Sequence, residues 1–492
     1  MNIGHIMDVI EQDDTDNMKY AGVYGYDLEV FPNWLSMCVQ RMDTGERWMF
    51  EISPRMDHAD EIWNFLWARQ QAGDYMLGFN NLHFDAPIIQ HFMDLCYKGI
   101  RPNAMDTYLK AQAIIDAPRG DWTHSVWESD LYIKQIDVYK IMHFDRMGQN
   151  TSLKFLEIAM RSVHVEGLPH QPGTDVPPEL YDHMNWYNAW DVDRTIAFAK
   201  EIWDRIEFRF ELDRTLGGRH SRVNWNDVRI GTGFIEGKLR DIGVEIRGPN
   251  KQLNQTNWPQ GIKLADIMLP VEFDAPELRA IYNYFLTSTV MPDQTKGFFE
   301  NLKADVGGMT MHFGTGGLHG AVPSTTYRAD DTRMIQLADV TGYYPSMLVA
   351  NGWYPKHLGS EFVDIFRFLI EERKKYAKSD MRAKLYKLSA NGSFGNFASK
   401  YSFLKDESVL LAITVNGQLL LARLAEVLNR IPSLTLIQVN TDGVCYICDR
   451  SDEVHVDAIL RWWETLTGLG LECDDYSLFA QRDVNSYIAV EA

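Results

Sequence analysis

The stretch Leu337–Met347, LADVTGYYPSM, constrains this chain more than any other. An apolar run through Ile335 and Leu337 ends in a carboxylate, Asp339, and five residues on comes Tyr344, followed by Pro345 and Ser346. A strand that ends in an acid and passes into a tight aromatic turn can set a metal-ligating oxygen beside a shaped pocket. One such stretch would mean little. Its weight comes from its company: a second carboxylate, a basic helix and a separate set of four carboxylates stand elsewhere in compatible order.

A chain of 492 residues, 45% hydrophobic and 24% charged, has the composition of a soluble globular protein and the length for two to four domains. Its start, MNIGHIMDVIEQDDTD, is acidic and lacks the apolar core of a secretory signal. Apolar runs such as Val409–Val415 fall far short of a membrane span, so no membrane partner is expected. Five scattered cysteines fit a reducing, cytoplasmic compartment. Cys445 and Cys448 form a CxxC, but in a strand-like run that points them to opposite faces, which favours core packing over metal or redox chemistry. The net charge of −20 argues on composition alone against a nucleic-acid partner. Local patches can override that balance, and carboxylates gathered around cations inflate the negative count.

Ala21–Val30 alternates as a strand and delivers Asp27 and Glu29 to one face. Asp60–Gln70 reads as an amphipathic helix, and Tyr75–Asn80 as a short buried strand. Asn81-Leu-His-Phe-Asp85 then precedes a helix opened by Pro87. Tyr187-Asn-Ala-Trp-Asp191 lies on a helical pattern running to about Ile206, with Asp193 assigned to its solvated face. Each piece alone has a bland reading: an exposed strand edge, a capping residue, a surface i,i+4 pair. Together, over residues 21–206, they resemble the DnaQ-like 3′→5′ proofreading exonuclease of DNA polymerases. By that resemblance Asp27, Glu29, Asp85 and Asp191 are metal ligands and Tyr187 orients the attacking water. The chemistry calls for several acids because two divalent ions must sit about 4 Å apart. Asn81 would either hold a frayed single strand or cap its loop.

Residues 207–300 show helices at Glu207–Leu216 and Asp227–Ile242 and a polar loop at Gly248–Asn257, with no chemical motif. Val306–Ala321 is glycine-rich, and Gly316, Gly317 and His319 suit either a hairpin with glycine turns or a backbone that approaches phosphates. Further on, Phe362–Lys378 is an amphipathic helix ending in cations that include Arg373, and Met381–Ser389 is a second helix. It leads into Lys387-Leu-Ser-Ala-Asn391-Gly-Ser-Phe394-Gly395. Ser408–Val415 reads as a strand, Gln418–Arg430 as a helix, and Leu434–Tyr446 as a hairpin with Asp442 at its tip.

DVTGYYPS, KLSANGSFG and VNTDGV, in that order, resemble motifs A, B and C of family B DNA polymerases, and most closely the compact phage enzymes. The resemblance covers most of residues 306–492. It implies that Asp339 and Asp442 bind two Mg²⁺ (or Mn²⁺) ions and that Tyr344 excludes a 2′-hydroxyl. It makes Arg373 and Lys387 triphosphate ligands, with Asn391 and Phe394 shaping the nascent-pair pocket. Gly316, Gly317, His319 and Tyr487 would touch DNA. Asp339 to Asn391 spans 52 positions and Asn391 to Asp442 spans 51, too few for the insertions of protein-primed relatives. The sequence departs from the family at Asn440, where an acid is usual, and at Gly342 and Gly392, where serine is usual.

The expected fold is therefore α/β and multidomain: an RNase H-like exonuclease, a right-hand palm of antiparallel sheet with helices, and short two-helix fingers, the thumb reduced or absent. The expected boundaries are 1–20 (extension), 21–206 (exonuclease), 207–305 (connection), 306–361 (palm), 362–398 (fingers) and 399–492 (palm). Expected partners are primer–template DNA, dNTPs and an accessory protein that supplies processivity, around a monomer in the cytoplasm of an infected bacterial host. A nuclease with a degenerate, DNA-binding polymerase half is the alternative enzyme, and an acidic scaffold the non-enzymatic one.

Overall fold

The computed structural model describes residues 17–118, 121, 123–146, 148–217 and 221–492, so most of the expected N-terminal extension lies outside the described residues. The chain divides into two compact units, one ending at Asp227 and one running from Val228 to Ala492.

The first unit is built on a five-stranded sheet of β1 (Val23–Phe31), β2 (Trp34–Arg41), β3 (Arg47–Ile52), β4 (Tyr75–Gly78) and β5 (Lys134–Asp137), in the order β3-β2-β1-β4-β5. β1, β2 and β3 pair antiparallel, whereas β4 runs parallel to β1 and β5 parallel to β4. Alternation along β1 sends Tyr24, Tyr26 and Leu28 to one face, where they pack with α1 (Ala59–Ala72), α2 (Asp85–Tyr97) and α3 (Ala104–Ile115). The other face, with Val23, receives the later helices, of which α4 (Leu153–Ala159) and α5 (Tyr181–Glu201) bear on the site. Gly25 lets α5 lie close: a Cβ there would come within 2.4 Å of Ile196 Cγ1.

α6 (Trp203–Leu216) belongs to this unit. Phe210 meets Tyr75 edge-on at 5.1 Å, and the fully buried Arg209 is paired with Asp227. The expected connecting region 207–305 is thus shared between the two units. The second begins along α7 (Asp227–Asp241). Its residues Ile262, Leu264, Leu278, Ile281 and Phe285, the last three on α8 (Pro276–Thr287), pack into the main core of the second unit.

That core lies on a nine-stranded sheet of β8 (Lys303–Val306), β9 (Met309–Phe313), β10 (Leu318–Ala321), β11 (Thr325–Arg328), β12 (Arg333–Val340), β13 (Thr435–Asn440), β14 (Gly443–Asp449), β15 (Leu471–Asp483) and β16 (Ser486–Glu491); a two-residue pair, β6 (Ile262–Lys263) and β7 (Thr289–Val290), stands apart. The path runs β11-β15-β12-β14-β13-β10-β9-β8, with β16 also on β15, and every pairing is antiparallel. Gly307 and Gly308, at φ 60° and 80°, turn β8 into β9 as the left-handed hairpin turn requires. Cys445 and Cys448 are fully buried in separate clusters, as opposite-face positions on β14 should be.

Helices α9 (Tyr343–Asn351), α10 (Glu361–Arg373), α11 (Met381–Gly392), α12 (Glu407–Leu428) and α13 (Glu453–Thr467) complete the unit. The strand expected at Ser408–Val415 is the first half of α12, which continues unbroken through the expected second helix. Asp406 caps it, accepting from Ser408 N at 3.1 Å. Because the helix is buried nearly all round, its apolar residues carry no 3.6-residue rhythm to betray it. By length and composition α12 could cross a membrane, but 83% of its apolar stretch is buried inside the protein.

Candidate active sites

In the first unit, β1 presents Asp27 and Glu29 on the face that meets α5, and α5 returns Tyr187 and Asp191 to them. One carboxylate oxygen each from Asp27, Glu29 and Asp191 lie within 4.8 Å of one another. Asp85, the first residue of α2 and 5% exposed, stands close enough to raise the proton affinity of both Asp27 and Glu29. The sequence had Asp85 just ahead of this helix; it lies in its first turn, where peptide N–H groups favour an acid.

Crowding acids out of water drives their affinity for protons upward. Burial first, then Asp191 and Asp85, push Glu29 from 4.5 to about 8. Burial pushes Asp85 to about 7, and Asp27 is raised well above its ordinary value by burial and by Asp85, Glu29 and Asp191. Asp191 is raised by burial and pulled back by Lys154. The Tyr187 phenol, 5% exposed, is raised by burial and by Asp191, so it remains a protonated donor facing that carboxylate.

Lys154 was not among the sequence candidates. From α4 its ammonium pairs with Asp191 and, at 3.2 Å, with Glu157, and it lies 4.4 Å from the centre of the Tyr187 ring. The one signal was a capped helix start: Ser152 accepts from Phe155 N and puts Lys154 in the first turn. Asp193 does not join the cluster; it is ion-paired with Arg47. Asn81 is wholly buried, its amide donating to Gln135 Oε1 at 2.9 Å, which removes it from the strand contact considered for it.

In the second unit, Asp339 stands next to the end of β12 and Asp442 in the β13–β14 turn. Asp339 is registered against Gly443, and Val340 N donates to Asp442 O at 2.8 Å, so the two acids are held on neighbouring strands. A Cβ at Gly443 would meet Leu337 Cδ1 at 2.9 Å and Asp339 Oδ1 at 3.1 Å, which is why glycine follows the acid. Burial raises Asp339 to about 7, helped by Asp442, Asp474 and Glu472; burial also raises Asp442. Glu472 lies directly opposite Asp339 on β15.

Gly342 takes φ 54°, the left-handed conformation that turns β12 into α9, which accounts for glycine in place of serine. Nothing in the structure explains Gly392. Tyr344, just inside α9, stacks on Phe394 with ring centres 4.2 Å apart and donates to Gly316 O at 2.5 Å. A Cβ at Gly317 (φ 146°) would come within 3.0 Å of Tyr344 Oη and 3.2 Å of Thr441 Cα. His319 Nε2 lies 3.1 Å from Thr441 Oγ1. The glycine loop is thus wedged between the aromatic turn and the acid-bearing hairpin, while Phe313 is a core residue. Asn440 donates its amide to Val484 O at 3.2 Å, a bond that an ionised aspartate could not make. Val484 lies in the β15–β16 turn, three residues before Tyr487, whose half-exposed ring stacks on Phe479.

Lys387 and Asn391 face solvent on α11, and Arg373 is partly exposed at the end of α10. The two helices pack together, Phe368 and Tyr386 meeting edge-on at 5.7 Å.

Both acid sets offer hard oxygen donors of the kind that hold divalent cations. The fold is similar to the family B DNA polymerase from the hyperthermophilic archaeon Pyrobaculum calidifontis, with a TM-score of 0.50 and 15% identity, over 95% of this chain and 58% of that one. The chain therefore has a mixed α/β fold like that of part of a family B DNA polymerase and spans somewhat more than half the length of that enzyme. No protein-family model matches the chain. No curated protein matches it.

Proposed function

We propose that the chain is a DNA-templated DNA polymerase of family B, of the compact phage kind, with a 3′→5′ proofreading exonuclease. The observation that carries this reading is the second site: Asp339 and Asp442 on neighbouring strands, with the Tyr344–Phe394 stack and the glycine loop beside them. The strand order of the first unit, three antiparallel strands followed by two parallel ones with the acids on the middle strand, supports an RNase H-like exonuclease. The antiparallel sheet of the second supports a palm, and α10–α11 short fingers.

Asp27, Glu29, Asp85 and Asp191 would hold one pair of Mg²⁺ or Mn²⁺ ions, and Asp339 and Asp442 the other. When bound, such ions activate the nucleophile and neutralise charge on the phosphate and leaving oxygen. In the exonuclease, Tyr187 donates a hydrogen bond that orients water, and Lys154 holds Asp191 in place. In the polymerase, the Tyr344 ring fills the space a 2′-hydroxyl would need, Phe394 backs that ring, and Arg373 and Lys387 supply positive charge to a triphosphate. Asn391 borders the nascent pair, and Gly316, Gly317, His319 and Tyr487 line the path of the DNA. The setting is the cytoplasm of an infected bacterium, the enzyme a monomer assisted by a processivity partner.

A primer–template assay with Mg²⁺ tests the reading. Extension is expected with dNTPs and shortening without them. Asp339→Ala or Asp442→Ala should abolish extension and spare digestion, and Asp27→Ala the reverse. Primer extension by Asp339→Ala would overturn the assignment. Shortening alone by the unaltered protein would favour a nuclease with a degenerate polymerase half, the reading to which Asn440 lends some support.

A further inference from the structure

The exonuclease reading uses one row of α5, Tyr187 and Asp191. One residue back runs a second row at the same four-residue spacing: Trp186, Trp190 and Arg194. Trp186 and Trp190 stack at 5.8 Å with their planes 18° apart, and the Arg194 guanidinium lies over Trp190 at 4.6 Å. His164 meets both indoles edge-on, at 5.4 and 5.6 Å, and His183 lies 6.0 Å from Trp186. Glu166 bridges the two histidines at 3.1 and 2.9 Å. The indoles are therefore held in place from the side, yet Trp186 remains 44% exposed.

Two large aromatics kept near the surface by a built frame are unusual unless something covers them. The row is also wired to the acids: Trp190 Nε1 donates to Glu157 Oε2 at 3.0 Å, Glu157 pairs with Lys154, and Lys154 pairs with Asp191. Phe155 and Ile158, on the same α4 that carries Lys154 and Glu157, are each 63% exposed.

We infer that Trp186, backed by Trp190 and Arg194, is a stacking platform for an unpaired base of a single-stranded nucleic acid whose 3′ end reaches the Asp27–Glu29–Asp191 cluster. The inference rests on the exonuclease reading for the direction of the strand, not for the stacking. The exposed Trp186 indole accepts any base, so the platform confers grip without sequence preference, while Arg194 packs on Trp190 and stiffens the stack.

The test uses the full chain in an Asp27→Ala background with EDTA, and a fluorescently labelled mixed-sequence oligodeoxynucleotide, single-stranded or as a blunt duplex, followed by anisotropy. Trp186→Ala should weaken single-strand binding about tenfold, the loss of one base–aromatic stack, while Trp186→Phe keeps most of it. In the otherwise unaltered enzyme, Trp186→Ala should raise KM for single-stranded substrate with kcat little changed. Unchanged single-strand affinity in Trp186→Ala would overturn the inference, as would equal weakening for the duplex. If single-strand binding depends on Trp186 but the unaltered protein digests nothing, the subsite stands and the exonuclease reading falls. If the protein digests single strands and its affinity is indifferent to Trp186, the exonuclease reading stands and the subsite falls.

Discussion

Glu29 illustrates how an acid site strains its own fold. Its carboxyl titrates at about 8 in the folded protein against 4.5 ordinarily, so the folded state binds the proton more tightly than the unfolded chain does. The stability this contributes is fully present below pH 4.5 and is lost as pH rises through about 8. In EDTA, the melting temperature of the first unit should therefore fall by several degrees between pH 5 and 8, and Mg²⁺ should restore it. Glu29→Gln should flatten the profile; a profile as steep as the parent's would place the shift elsewhere in the cluster. At the second site, Tyr344→Ala should admit ribonucleotides. Tyr344→Phe should keep sugar discrimination while costing about 0.5–1.5 kcal/mol for the lost bond to Gly316, read as a drop in Tm. The acids themselves were legible, because a DxE on a strand and a YxxxD on a helix carry their spacing in the sequence. Lys154 was not, since nothing local distinguishes a lysine that reaches Asp191 from one that reaches water. Asn81 was hidden for a different reason: a polar loop residue read as a strand contact or a loop cap gives no local sign that it is wholly buried, with its amide donating to Gln135.

Among elements, α5 matters most to the first site, and its distance from β1 is set by Gly25. Gly25→Ala would place a methyl 2.4 Å from Ile196 Cγ1, so the helix must shift or Ile196 must change rotamer. A cost of roughly 1–3 kcal/mol is expected. A shift approaching 1 Å would also depress digestion by up to about a hundredfold while leaving extension intact. Pairing it with Ile196→Ala should recover part of both losses, and a strictly additive double mutant would show that the two side chains do not compete. Most elements could be read from pattern: the strand with Asp27 and Glu29, the amphipathic α10 and the β13–β14 hairpin all show periodicity or turn chemistry, although α10 stops at Arg373 and leaves the expected Lys374, Lys375 and Lys378 beyond its end. α12 could not, because its first turns are rich in Val, Leu and Ile with no polar face, and a short apolar run of that kind reads equally as strand.

The whole molecule carries a net charge of −20, yet the proposed work is on a polyanion. Any grip on DNA must then come from local cations and stacking rather than from the overall field. Extension on a fixed primer–template should decline steeply as salt rises from about 50 to 200 mM, and a flat response would count against binding through a few phosphate contacts. Such long-range arrangements lay beyond sequence reading, because β15, which closes over Asp339 with Glu472, joins the sheet from more than a hundred residues away. The same remoteness has a consequence for how the protein is made. α12 emerges during synthesis after α9, which already packs on it, but before β13, β14 and α13, which complete its cover, so the growing chain carries for a time a partly uncovered 22-residue helix long and apolar enough to cross a bilayer. Until the last strands arrive, that helix has every reason to seek a chaperone, another nascent chain or a lipid surface. A chain cut short just after residue 430 should therefore yield an aggregate rather than a smaller enzyme.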